Sequence, residues 1–238
     1  MARTIKEEEY AEKRNGILDA VQRLVYSKGY ERMTIKDILE DVNISSGAFY
    51  HYFRSKPSVL EAFIERIQEE VGKSLPPIIH DPHLSAIEKL QGFFDTLYRL
   101  RVAHKVDIVN LWRVWYTDEN AIVRQKVDEA VLEQRAPLLM EIVHQGIQEG
   151  VFATAYPDQA GIIILSLMHG MGNTIARLLL SLGQECDEQR CVEEIVTVHA
   201  AYMDAIERVL GAPQNSLYRA DAEMVKMWVA ALQGDDHL

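Results

Sequence analysis

The chain has 238 residues, 48% hydrophobic and 26% charged, with a formal net charge of −11. This length and make-up supply a sizeable core and exclude a disordered or fibrous protein. The acidic balance excludes a polycation-like coat on nucleic acid, yet residues 1–60 hold ten Lys and Arg against nine Asp and Glu, so the acidic excess belongs to the remainder.

Apolar residues recur at helical spacing throughout, and no long stretch alternates with period two, so an all-α fold is expected. A first helix spans about 6–28, with Ile17, Leu18, Val21, Leu24 and Val25 on one stripe and Gly29 ending it. Thr34 caps a second, short helix, and Asp37 three positions on sets up a capping box. After a turn at 41–44, a third short helix starts at Ser45 or Ser46. Ser55 restarts the chain as a fourth helix with Pro57 in its first turn, and Gly72 with Pro76-Pro77 is expected to break it. Further helices are expected at about 83–103, 106–117, 119–149, 157–182, 187–210 and 218–233. The charged N-terminus has no apolar secretory segment, and no uninterrupted apolar run reaches the roughly 18 residues of a spanning helix. A cytoplasmic chain without membrane contact is therefore expected. Cys186 and Cys191 make no disulfide framework and are expected to be reduced thiols.

Two short helices joined by a tight turn, after a longer amphipathic one, describe a helix-turn-helix unit. In its second helix Ser46, Gly47 and Ala48 are small enough for the backbone to approach base edges closely. Phe49 and Phe53, four apart, are expected core anchors. Tyr50, His51 and Tyr52 can then donate hydrogen bonds to phosphates. Lys56 lies in a helical first turn, where a cation and free amides can meet one phosphate.

The run Thr34-Ile35-Lys36-Asp37-Ile38, then Val42 to Lys56 with the aromatic block Phe49–Phe53, resembles the DNA-binding domain of TetR-family transcriptional regulators. Asn43 departs from the family's usual Gly, but Asn tolerates a left-handed backbone. The resemblance implies that Thr34 and Lys36 contact DNA from the second helix, that Ser46, Gly47 and Ala48 face base edges, and that Tyr50, His51, Tyr52 and Lys56 hold phosphates. It implies a three-helix DNA-binding domain over 1–54 and a larger helical ligand-binding and dimerisation domain over 55–238.

The 157–182 segment is apolar on almost every face and 187–210 carries a long apolar stripe, so a four-helix dimer interface built from both is expected. Phe94, Tyr98, Trp112, Trp115, Tyr116, His144, Met168 and His169 are candidates for a mostly apolar effector pocket, with Trp112 and Trp115, three apart, expected at one location. The helix from Ser55 to Val71 is the expected lever between the domains. No phosphate-binding Gly loop, nucleophile elbow or metal-ligand spacing is found, so neither enzyme activity, nor a metal, nor a cofactor is expected. The reading is a ligand-responsive repressor that binds palindromic operator DNA as a homodimer. Its rival is a helical small-molecule-binding or enzymatic module without DNA binding.

Overall fold

The computed structural model describes residues 2–103, 105–183 and 187–233. Among the described residues there are eleven α-helices and no strand: α1 (Ala2–Lys28), α2 (Ile35–Val42), α3 (Ser46–Tyr52), α4 (Lys56–Ser74), α5 (Pro76–Ile79), α6 (Ala86–Ala103), α7 (Lys105–Trp115), α8 (Ala121–Gln148), α9 (Pro157–Leu180), α10 (Glu188–Leu210) and α11 (Ala222–Gln233). A short 3-10 turn, Asp118–Asn120, precedes α8. The fold is thus all-α. The expected helices are all found, and the differences lie mainly at their ends. Gly72 sits inside α4 rather than ending it. Helix α4 breaks at Leu75 as expected, and Pro76 and Pro77 then open the short α5, because the first positions of a helix need no N–H. The last helix starts at Ala222 rather than 218, where Asp221 caps it by accepting the Met224 amide at 2.9 Å. Cys186 lies outside the described residues; Cys191 is buried, its thiol 3.5 Å from the Leu178 carbonyl.

The chain packs as two compact units, Met1–Glu70 with Arg113–Ala130, and Val71–Trp112 with Val131–Leu238. In the first, the stripe of α1 closes on Ile38 of α2, Phe49 and Phe53 around α3, and Leu60 and Phe63 of α4. Helix α2 begins with a full capping box: the Asp37 amide donates to Thr34 Oγ1 at 3.1 Å and the Thr34 amide donates to the Asp37 carboxylate at 2.7 Å. It ends at Asn43, whose φ of 54° is left-handed. Gly29 has φ +81° and lies so close to Glu119 that a Cβ there would come within 2.5 Å of its side chain. Beside it Asn120 is fully buried. Its Oδ1 accepts the Tyr30 amide at 2.9 Å, and its Nδ2 donates to the carbonyls of Val25 at 3.4 Å and Val114 at 3.1 Å.

In the second unit, α5, α6, the later part of α8, α9 and α10 share one core that includes Phe93, Leu139, Ile142, Phe152, Ile164 and Ile206. Gly146 lets Phe152 lie against α8, since a Cβ there would meet the ring at 2.0 Å. By length and composition alone α9 could cross a membrane. His169, Asn173 and Arg177 interrupt its apolar run. Its Ile164, Leu165 and Met171 are buried in the core. Helices α9 and α10 pack together as an antiparallel pair, leaving Ile162 and Ile163 exposed at the start of α9.

The segment after α10 is held by one carboxylate. Glu207 accepts both guanidinium nitrogens of Arg219 at 2.8 Å, the Leu217 amide at 2.9 Å and the Asn215 amide at 3.1 Å. Arg219 and these amides hold its pKa at about 2, below the ordinary 4.5. Its contribution to stability is therefore complete above the ordinary value and is lost as pH falls through about 2. Glu207→Ala should lower the unfolding free energy at pH 7 by about 3 kcal/mol, and the loss should shrink in urea titrations at pH 3. Asn120→Ala should cost about 2 kcal/mol, because it leaves the buried Tyr30 amide without its partner and removes a donor from each of the Val25 and Val114 carbonyls. An unchanged urea midpoint would show that Asn120 does not hold the first unit together.

Candidate functional site

Helix α3 is short and capped at its start by Ser45, whose side chain accepts the Ala48 amide at 3.2 Å. Phe49 faces inward and is fully buried, and Phe53 follows it at the C-cap. That anchoring decides which residues face out. Ser46, Gly47, Tyr50 and His51 are exposed, and Ala48 is half-buried. A Cβ on Gly47 would meet nothing nearer than Ser45 Oγ at 4.0 Å, so the start of α3 presents an open, small-residue surface. Tyr52 is half-buried and its ring lies 4.8 Å from that of Tyr10, which also stands edge-on to His51 at 5.7 Å. Tyr10 of α1 thus steadies the aromatic block.

The cations around this surface differ in how far they are committed. Lys36 is 82% exposed and only loosely paired with Glu40 at 3.6 Å, a contact of little energy. Thr34 spends its hydroxyl on Asp37 at 2.7 Å. Lys28 pairs with the same carboxylate, and with Thr34 it holds the Asp37 pKa down at about 2. Lys56 donates to the Glu31 carbonyl at 3.2 Å and sits 4.2 Å above the Tyr30 ring. Burial lowers its pKa, against Glu31 and Asp37, which raise it. It keeps further N–H donors in a position fixed by the ring. Arg54, exposed directly after α3, is a cation the motif reading left out; its adjacency to the aromatic block was the available signal.

The second unit contains a cavity of about 520 Å³. Phe94, Tyr98, Trp112 and Met168 line it. Trp115, Tyr116, His144 and His169 do not line it. Trp115 packs against the core of the first unit. The expectation of a shared location for the two indoles is corrected: three residues apart on a helix means about 60° and 4.5 Å, enough to send them to different cores. His144 faces Asp158 at 3.4 Å, and His169 bonds Asn173 at 2.6 Å. Among the described residues, no group of three His, Cys, Asp or Glu is placed to hold a metal ion.

The C-terminal segment closes one side of the cavity. Tyr218, Ala220, Met224, Val225 and Trp228 all line it. Trp228 packs against Trp112, its ring tilted by 36° with centroids 5.5 Å apart. Burial raises the Tyr98 pKa, which the Trp228 indole lowers in part, so the phenol stays neutral. His199 of α10 also lines the cavity, and its Nδ1 accepts the Ala220 amide at 3.1 Å. Burial, and then Arg219, lower its pKa. The ring is therefore neutral with its proton on Nε2. These residues were not singled out in the sequence, because nothing local shows that a helix beyond residue 220 folds back against the middle of the chain.

Residues 17–63 match the model of bacterial regulatory proteins of the tetR family, and residues 105–173 that of the tetracyclin repressor-like C-terminal domain. The uncharacterized HTH-type transcriptional regulator YvkB of Bacillus subtilis is 34% identical over 157 residues, covering 65% of this chain and 78% of that protein. The HTH-type transcriptional repressor KstR2 of Mycobacterium tuberculosis is 24% identical over 144 residues, covering 59% and 69%. Among solved structures, the SmeT–triclosan complex matches with a TM-score of 0.64 at 15% identity, covering 88% of this chain and 96% of that one. That likeness shows a shared fold.

Proposed function

The chain belongs to the tetR family of bacterial regulatory proteins, and from that premise we propose that it is a cytoplasmic repressor, binding palindromic operator DNA as a homodimer and released by a small, mostly apolar effector. Membership makes it a transcriptional regulator rather than an enzyme and sets aside the rival reading of a module without DNA binding. The observation that carries the proposal is the open N-terminal surface of α3, with Tyr50 and His51 exposed beside it, inside the segment that matches the family's DNA-binding model.

In this reading Ser46, Gly47 and Ala48 face base edges, while Thr34, Lys36, Tyr50, His51, Tyr52 and Lys56 take backbone contacts. Small side chains give little bidentate base readout, so specificity leans on backbone approach and DNA shape. Two-fold symmetry matches two recognition helices to a palindrome. The exposed faces of α9 and α10, with Ile162 and Ile163, are the proposed dimer surface. The cavity takes the effector.

Release needs a ligand with different affinity for two states. Helices α4, α7 and α8 each continue from one unit into the other. We assign the coupling first to α7, because it carries Trp112 of the cavity wall and, one turn later, Trp115 of the first unit's core. Helix α4 is then a second route.

A mobility-shift assay with DNA flanking the gene should give a retarded band that is competed poorly by unrelated DNA; no shift at low salt would overturn the repressor reading. Lys56→Ala should weaken binding to all sequences about tenfold and reduce the salt slope by about one. Ile163→Asp should convert a dimer into a monomer in sedimentation equilibrium and lower operator affinity. A native chain that sediments as a monomer would count against the homodimer.

A further inference from the structure

The polar groups of the cavity are not equally committed. Gln91 accepts the Tyr218 amide at 2.9 Å and donates to Asp95 at 2.8 Å. Tyr218 donates to Asp221 at 3.3 Å. Three donor groups in the wall remain, and one is the Tyr98 O–H. The Nε2–H of His199 has no hydrogen-bond partner among the described residues, since the ring's bond is through Nδ1. The Arg101 guanidinium lines the same cavity and has neither an ion pair nor a hydrogen bond among the described residues. Arg101 lines the cavity and keeps accessible surface, and burial lowers its pKa. A second guanidinium, Arg135, lies close enough to be repelled by it: burial and the Arg101 charge lower the Arg135 pKa to about 10. An unpaired guanidinium held against another cation is unfavourable until an anion arrives. Asp95, the acid among the described lining residues, is exposed and accepts from Gln91. The remaining wall is apolar and aromatic, with Phe94, Trp112 and Trp228 supplying rings and Met168 and Met171 adding soft, adaptable surface.

We propose that the cavity binds a ring-containing monocarboxylate, its carboxylate seated on Arg101, an acceptor atom on the Nε2–H of His199, and its apolar body against the Trp112–Trp228 pair. This rests on the reading of the cavity as the effector site and specifies the effector's class. A carboxylate suits a guanidinium because two N–H groups can donate to it in parallel. The volume suits a drug-sized ligand.

The test uses the full chain and calorimetric titration with three matched series built on biphenyl, naphthalene and decalin: the carboxylic acid, the primary carboxamide and the methylamine. At least one acid should bind about tenfold more tightly than its amide, and the amine least. Tryptophan emission should change on binding, since Trp112 and Trp228 line the site. Arg101→Gln should remove the acid's advantage while leaving the amide within twofold; if that variant does not fold, the acid-against-amide comparison on the native chain decides alone. Equal binding of acid and amide, tighter binding of the amine, or no binding of any acid overturns the proposal. Operator binding measured on the same preparation separates the two readings. DNA binding without carboxylate binding removes the anion assignment only, and carboxylate binding without DNA binding removes the regulatory reading only.

Discussion

One buried amide, Asn120, makes the N-terminal unit a unit. The last turn of α1 leaves carbonyls without helical partners, and the chain after it leaves an amide. Asn120 takes the Tyr30 amide, adds a second donor to the Val25 carbonyl, which also accepts the Gly29 amide, and reaches Val114 at the end of α7 with its remaining proton. Neighbouring contacts follow the same line: the Glu31 amide donates to the Glu119 carbonyl at 2.9 Å, and Arg32 pairs with the Glu119 side chain. Arg124 covers the carbonyls of Trp115 and Thr117. The helices that present α3 are therefore built on a segment from the middle of the chain, residues 113–130.

Glu207 plays the corresponding part in the second unit. Its four hydrogen bonds define where the chain runs after α10, and that path brings Ala220 to His199 and Trp228 to Trp112. A cavity lined by helices of one bundle becomes a cavity closed by a C-terminal segment. The same contacts set its chemistry. The Ala220 amide selects the His199 tautomer, so among the described residues its Nε2–H is left as a donor in the wall.

These two clamps frame the proposed switch. Helix α7 contributes an indole to each unit's packing, Trp112 and Trp115. The size of the response is bounded by the ligand's differential affinity for the two states, which is why the character of the cavity's anchors matters more than its volume.

Much of the molecule was legible in the sequence. Helix positions followed from apolar periodicity. Phe49 and Phe53 faced inward as their spacing required, and Asn43 took the left-handed turn its side chain tolerates. The Thr34–Asp37 capping box could be read three residues apart. The cavity was legible in part: Phe94, Tyr98, Trp112 and Met168 line it, while His199, Arg101 and Trp228 had no local signal. The sequence by itself determined the helices, their caps and the outward face of α3, because these depend on neighbours within about four positions along a helix. Only the tertiary structure decided which unit residues 113–130 join, which helix closes the cavity and which donors stay free. Those outcomes depend on partners such as Asn120 with Tyr30 and Tyr218 with Gln91, 90 and 127 positions apart, and no local pattern encodes a pairing at that distance.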